Sequence, residues 1–213
     1  MVAHVLVSKY AWHLPAYRQV QILLAQGIEI ERSVLAFWVG YAAAELMPLW
    51  RRLREILLGS PRLFVDETRA PVLDPGRGRT KSGYFWSIAR DDSAWCGDTG
   101  PPGVVYTYAP GRGAEHAVTL LAGYRGMVQC DGYAAYKQVA RRGRAGNTVI
   151  LAFYWSHWRR RFYEIAKAGS ALIAEETLRR IAELYKIEAQ IRGRSAAERR
   201  AVRQAESSRW LPI

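Results

Sequence analysis

The fold of this chain is decided by residues 63–68, which read Leu-Phe-Val-Asp-Glu-Thr. The apolar run predicts a short buried strand that ends at an acidic residue, Asp66. Residues 126–130, Gly-Met-Val-Gln-Cys, predict another strand, and Asp131 follows it directly. Strands one and four of a β-β-β-α-β sheet can be neighbours, so we expect the sheet to bring the carboxylates of Asp66 and Asp131 together.

The segments around these two strands complete an α/β pattern. Residues 84–89 and 104–108 are rich in aromatic and β-branched residues and predict two more strands. Residues 74–83, Asp-Pro-Gly-Arg-Gly-Arg-Thr-Lys-Ser-Gly, predict a turn between the first two strands. Helices are expected over residues 115–123 and 134–142, a break over 143–147, and a last strand over 148–154. The order β-β-β-α-β-α-β predicts a mixed sheet with an N-terminal helical module and a C-terminal helical segment.

The first 60 residues form the predicted helical module. Helices are expected over residues 15–26, 33–40 and 42–58, with Ser33 capping the second. Leu35, Trp38 and Val39 fall on one face, and this pattern is similar to a helix-turn-helix. An ordinary helical hairpin packed on the next domain is the alternative.

The predicted sheet domain covers residues 61–158, and residues 159–213 read as helical and charged. Within the latter segment, Ser195 with Glu198 three residues later predicts a capping box that opens the last helix. The chain therefore divides into three predicted parts.

Composition limits the classes of function. The chain has 31 Lys and Arg against 19 Asp and Glu, for a formal net charge of +12, which favours a polyanionic partner such as nucleic acid. Arg-rich soluble proteins from GC-rich genomes share this composition. The two cysteines, Cys96 and Cys130, argue against a disulfide scaffold and a four-ligand zinc site. No apolar run approaches the roughly 20 residues of a membrane helix and no secretory signal is apparent, so we expect a cytoplasmic protein.

Two carboxylates at neighbouring strand ends point to metal chemistry. Adjacent carboxylates repel each other, and they are stable mainly when a cation lies between them. Mg²⁺ prefers oxygen ligands, and two such ions can drive phosphoryl transfer. The alternative is structural, because an aspartate after a strand is also a common turn or cap residue, and Asp131-Gly132 is a turn dipeptide by itself.

Several segments together resemble the insertion-sequence transposases of the "sixty-six" group. The resemblance lies in residues 4–10, 13–19, 63–68, 71–81, 129–133, 155–157, 159–162 and 187–194. It implies a ribonuclease H-like catalytic domain in which two Asp and one Glu bind two Mg²⁺ (or Mn²⁺) ions. By position, Asp66 matches the first metal-binding Asp and Asp131 the second, so residues 61–158 would be the catalytic core and residues 159–213 an incomplete helical insertion.

This chain departs from the family pattern in two places, the third acid and the Cys-x-x-His motif. Its third acid lies in a segment similar to Asn-Asn-x-x-Glu-Arg, which this chain lacks, so we expect a C-terminally truncated chain with impaired catalysis. Glu164, which lies 33 residues after Asp131, is a fallback third acid or a residue of a solvated helix face. The family's Cys-x-x-His is represented here by residues 154–157, which keep His157 and replace the cysteine with Tyr154.

Two basic clusters are candidates for binding DNA phosphates. Arg77, Arg79 and Lys81 lie in the glycine-rich turn, and His157 precedes Arg159, Arg160 and Arg161 after the last strand. Both clusters are expected to flank the acidic pocket, and a solvated turn and helix start are the alternative.

The resemblance implies a bacterial, nucleoid-associated enzyme whose partner is double-stranded DNA, both element ends and target. A homo-oligomer and accessory proteins are further expected partners, and no membrane is expected. The expected function is metal-dependent strand cleavage and transfer. The alternatives are a non-catalytic DNA-binding or dimerising remnant and, from charge and aromatic content alone, a structural RNA-binding protein.

Overall fold

A computed structural model describes residues 1–74, 76–91, 100–142 and 149–210. The predicted break over 143–147, Thr148 of the last strand, Pro75 of the turn and Cys96 lie outside the described residues. The elements, in chain order, are α1 (Val2–Tyr10), α2 (Ala16–Ala25), α3 (Arg32–Leu58), β1 (Arg62–Asp74), β2 (Arg79–Arg90), β3 (Gly103–Ala109), α4 (Ala114–Leu120), β4 (Gly126–Cys130), α5 (Ala134–Arg142), β5 (Val149–Phe153), α6 (Trp155–Ala168), α7 (Leu172–Gln190), α8 (Ala196–Ala205) and a final 3-10 turn (Ser207–Trp210).

The sheet has five strands in the order β3-β2-β1-β4-β5. β1, β2 and β3 form an antiparallel meander. β4 runs parallel to both β1 and β5, which α4 and α5 make possible by returning the chain to the same end of the sheet. The predicted mixed α/β sheet is therefore confirmed, while its assignment to the ribonuclease H-like class stays a prediction.

The hairpin of β1 and β2 is longer than the sequence indicated. Its ladder continues from Phe64↔Ala89 to Asp74↔Arg79, whereas β4 pairs with β1 only as far as Phe64↔Gln129. The prediction that residues 74–83 form a turn is wrong for Asp74, which ends β1, and for residues 79–83, which belong to β2. These residues carry no apolar alternation, and they are held in the strand by backbone pairing across the hairpin.

The core of the sheet domain lies on one face of β1 and β4. Leu63, Val65, Val128 and Cys130 are all at most 1% exposed. Leu63 is the register partner of Val128, so these side chains share a face by the twofold period of a strand. Trp86 and Tyr136 extend the same core, with ring centroids 6.1 Å apart.

The chain divides into two compact units, Met1–Arg52 and Leu53–Ile213. In the first, Val5, Leu23 and Leu35 form a buried cluster against which Trp38 and Val39 pack. The face singled out in the sequence is therefore packed within this unit, and the helix-turn-helix and helical-hairpin interpretations both stay predictions.

The prediction of two helices over 33–40 and 42–58 is wrong, because one helix, α3, runs through both. Gly40 lies within it, and a Cβ placed there would meet nothing within 4 Å. Pro48 is also inside the helix. A glycine in a helix costs only about 1 kcal/mol, which neighbouring strong helix formers such as Ala42 to Leu46 offset.

By length and composition, α3 is also able to cross a membrane. It has 27 residues, and only 11% of its apolar 18-residue window is buried. The expectation that no apolar run approaches that length is thus wrong for residues 32–58, where Glu45 is the one charged residue between Arg32 and Arg51. A single helix near the N-terminus is weak evidence of a membrane location.

The C-terminal helices follow the sequence closely. α6 begins at Trp155, four residues before the predicted helical segment 159–213. The capping box of α8 is confirmed, because Glu198 N–H donates to Ser195 Oγ at 3.3 Å and Ser195 N–H donates to Glu198 Oε2 at 2.9 Å.

Candidate metal and phosphate site

Asp66 lies within β1, and Asp131 directly follows β4, the strand that pairs with β1 in parallel. The register pairs Arg62 with Met127 and ends at Phe64 with Gln129. Its continuation by two residues would set Asp66 beside Asp131. Neighbouring strands are about 4.8 Å apart. The two aspartates are therefore at the same end of the sheet, on the face opposite Val65 and Cys130.

Tyr154 connects the two aspartates electrostatically. Burial, together with the negative charges of Asp66 and Asp131, raises the pKa of Tyr154 to about 12. Its backbone N–H donates to the carbonyl of Cys130 at 3.2 Å, which places the start of α6 against the end of β4. Both carboxylates therefore lie within electrostatic reach of one phenol.

The carboxylates keep oxygen atoms that a cation can use. Oδ1 of Asp66 accepts the Glu67 N–H at 3.0 Å, and Oδ1 of Asp131 accepts the Tyr133 N–H at 2.9 Å. Within the part of the chain that the structure describes, neither Oδ2 atom has a hydrogen-bond partner, and Oδ2 of Asp131 lies 3.9 Å from Arg112 Nη2 in an ion pair. This donor set, all oxygen and doubly negative, fits Mg²⁺ or Mn²⁺.

Glu67 points to the opposite face from Asp66, because successive side chains of a strand alternate. Its side chain is 1% exposed, Arg112 forms an ion pair with it, and the Tyr136 hydroxyl donates a hydrogen bond to it. Arg112 Nε donates to Oε1 at 2.7 Å, and the Tyr136 hydroxyl donates to Oε2 at 2.5 Å. Burial and this hydrogen bond raise the pKa of Tyr136.

Arg112 joins Glu67 to the candidate site. Its Nη2 contacts both Glu67 and Asp131, and its guanidinium lies 4.0 Å from the ring centroid of Tyr133. The Tyr133 hydroxyl in turn donates to the carbonyl of Arg112 at 2.7 Å. Sequence reasoning missed Glu67 and Arg112 as a pair. The one sequence signal was the position of Glu67. Because side chains alternate along a strand, Glu67 falls on the buried face with Leu63 and Val65, where a carboxylate needs a partner.

A cavity of about 510 Å³ opens beside Asp131. His157 and Arg161 of α6 line it, together with Arg112 and Lys137. His157 and Arg161 are four residues apart and so share a helix face, whereas Arg159 and Arg160 are not among the lining residues. The structure thus brings two of the predicted phosphate-binding residues, His157 and Arg161, to the cavity.

The other basic cluster lies away from the cavity. Arg79 and Lys81 are register partners of Asp74 and Val72, and Arg77 lies in the turn with its Nε 3.4 Å from Asp74 Oδ2. Eight residues separate Asp66 from Asp74, a length of about 27 Å along an extended strand. The expectation that this cluster flanks the acidic pocket is wrong, because the ribbon formed by the outer halves of β1 and β2 carries it away from Asp66.

Glu164 is exposed on α6, about two turns beyond His157. Within residues 1–74, 76–91, 100–142 and 149–210, no three His, Cys, Asp or Glu side chains group to hold a metal ion. The fallback role of Glu164 therefore stays a hypothesis.

The fold and these residues define an α/β protein with one aspartate within β1, another directly after β4, and a basic cavity beside the second. Residues 1–212 match the family described as the Transposase IS66 family, so the chain belongs to this transposase family, and the resemblance found in its motifs is confirmed.

Three curated relatives come from Sinorhizobium fredii (strain NBRC 101917 / NGR234). The uncharacterized protein y4jD is 44% identical over 98% of this chain and 41% of its own length. The uncharacterized proteins y4qI and y4hP are 41% and 35% identical, over 98% and 97% of this chain and 39% of their own lengths. The chain thus spans about two fifths of the length of these relatives.

Proposed function

We propose that this chain contributes two metal-binding carboxylates, Asp66 and Asp131, to a DNA transposase that cleaves and transfers strands at the ends of an insertion sequence. The observation that supports the proposal is the parallel register of β1 and β4 up to Phe64↔Gln129, whose continuation by two residues would align the two aspartates. Membership of the family supplies the reaction class.

The residues around the aspartates suit a phosphodiester substrate. Divalent ions held by Asp66 and Asp131 would stabilise negative charge on the attacking and leaving oxygens. Arg112, held by Glu67, places a fixed positive charge beside Asp131, and Lys137 and Arg161 add two more on the cavity wall. The +12 net charge favours a polyanion such as double-stranded DNA, which also implies a cytoplasmic location near the nucleoid.

A third carboxylate is needed for a complete site of this family, and none joins Asp66 and Asp131 among the residues that the structure describes. We therefore expect these 213 residues alone to bind divalent ions weakly and to cleave DNA slowly or not at all. This same observation favours a second candidate function, DNA binding without cleavage.

Ion binding tests the proposal directly. Calorimetric titration with Mn²⁺ should show binding to the native chain, and Asp66→Asn and Asp131→Asn should each weaken it at least tenfold, because each removes one charged ligand. Asp74→Asn is the matched control, since Asp74 lies on the same strand about 27 Å from the site. Equal Mn²⁺ affinity in all four proteins would overturn the proposal.

Cleavage separates the two candidate functions. DNA carrying an element end would be incubated with Mg²⁺ or Mn²⁺ and the wild-type chain, and bound and nicked fractions would be measured. Binding without nicking is expected from the chain alone. Nicking that disappears in Glu164→Gln would instead identify Glu164 as the third acid, and failure to bind duplex DNA would exclude both functions.

A further inference from the structure

We propose that the cavity beside Asp131 binds one unpaired nucleotide of a DNA strand, with the phosphate against its basic side chains and the base against its aromatic ones. This inference rests on the proposed function, because it takes DNA as the partner. The cavity volume of about 510 Å³ is in the range of small-molecule sites, roughly 300–1,000 Å³.

The charges of the cavity favour a phosphate. Arg112, Lys137 and Arg161 face a single carboxylate, Asp131, on its walls. Lys137 and Arg161 have no ion-pair partner in the described part of the chain, so their charges are available to a ligand. Arg112 is fixed by two hydrogen bonds to Glu67, so little side-chain entropy is lost when it meets a phosphate.

The aromatic residues of the cavity favour a base. Tyr133, Tyr154 and Trp158 line it. The Tyr133 ring is held on one side by the Arg112 guanidinium and at its hydroxyl by the Arg112 carbonyl, so it is a rigid surface. Trp158 is 59% exposed, although a tryptophan usually gains stability from burial. An exposed aromatic ring, Trp158, beside half-buried ones and basic side chains is a combination that suits single-stranded nucleic acid.

The position of the cavity explains why the nucleotide must be unpaired. A base in a duplex is stacked on both faces and paired at its edge, so it cannot reach a concave aromatic wall without leaving the stack. Asp131 is part of that wall, and a nucleotide bound there has its phosphate next to the candidate metal site. Binding of an unpaired nucleotide would therefore determine which phosphodiester lies at the candidate metal site.

Fluorescence anisotropy tests the proposal with two labelled DNAs that carry equal charge, a blunt duplex and a shorter duplex ending in unpaired nucleotides. The chain should bind the second about tenfold more tightly, since stacking of one base stabilises binding by that order. Trp158→Ala should abolish the preference while leaving affinity for the blunt duplex unchanged. Trp155→Ala is the matched control, because Trp155 is 48% exposed on the same helix and does not line the cavity.

A second pair of variants tests phosphate binding by the cavity and keeps the proposal testable if Trp158→Ala does not fold. Lys137→Gln should reduce the preference for unpaired ends at least threefold, whereas Lys167→Gln, another exposed lysine, should leave it unchanged. Equal affinity of the wild-type chain for the two DNAs overturns the cavity assignment but leaves the proposed function intact. Equal losses in Trp158→Ala and Trp155→Ala overturn it too, and absence of binding to either DNA overturns both.

Discussion

Glu67 and Arg112, which lie 45 residues apart in the chain, meet through two hydrogen bonds from Nε and Nη2 of the guanidinium to the same carboxylate oxygen, Oε1. Glu67 is buried at 1% exposure, whereas Arg112 reaches solvent at 43%. The pair therefore connects the interior of the sheet with the cavity that Asp131 borders.

Arg112→Ala should lower the free energy of unfolding by about 2 kcal/mol or more, because it leaves the buried Glu67 carboxylate without its positive partner. The double variant Glu67→Gln/Arg112→Ala should be less destabilised than the sum of the two single changes. Urea denaturation measures both effects. Arg179→Ala is the control, because its partner Glu176 is exposed on α7 and little change is expected. A wild-type urea midpoint for Arg112→Ala would contradict this account.

The stability of the chain should depend on Tyr154 at high pH. Burial and the nearby carboxylates, Asp66 first, raise its pKa from 10.0 to about 12 in the folded chain. The unfolded chain then loses the proton more readily, so the stabilisation is complete below pH 10 and is lost as the pH rises towards 12. Tyr154→Phe should show a shallower decline than wild type in urea midpoints measured between pH 9 and pH 11.5. Parallel declines would show that Tyr154 is not perturbed.

Cys130 should be inert in the native chain. Burial, with smaller contributions from Asp131 and Glu67, raises the pKa of its thiol to about 12, so at pH 8 only about one molecule in ten thousand carries the thiolate. In a Cys96→Ser background, labelling with a chromogenic disulfide should proceed only as fast as the sheet opens, and it should be immediate in denaturant. Rapid stoichiometric labelling without denaturant is the contrary result.

Gly126 should tolerate no side chain at the start of β4. Its φ is +148°, and an added Cβ would lie 2.6 Å from the carbonyl oxygen of Pro61. We expect Gly126→Ala to destabilise the chain by about 1–3 kcal/mol, measured by thermal unfolding. Gly169→Ala is the comparison, since a Cβ there meets nothing within 4 Å. Similar melting temperatures for the two variants would argue against the strain.

Much of the sheet could be predicted, because short runs of neighbouring residues mark its strands. The apolar run before Asp66 and the one before Asp131 mark β1 and β4, and their order in a β-β-β-α-β pattern is enough to expect that they are neighbours. The capping box at Ser195 was equally visible, since its two partners are three residues apart.

The features that were missed depend on partners distant in the chain or on competing local preferences. Arg112 lies in a loop after β3, and nothing in its neighbourhood indicates that it contacts Glu67. A glycine such as Gly40 often ends a helix, but the strong helix formers from Ala42 to Leu46 carry α3 through it. The polar residues after Gly78 looked like a loop, and only their pairing with β1 makes them a strand.

The ribbon formed by the outer halves of β1 and β2 would set how far along a bound duplex the protein reaches from Asp66. At a rise of about 3.4 Å per base pair, a basic tip about 27 Å from Asp66 would touch the duplex about eight base pairs from the phosphate being cut. The number of residues in the ribbon would then set the distance between the phosphate being cut and the outer DNA contact. Removing two residues from each of its strands should draw the far edge of a nuclease footprint inward by about two base pairs.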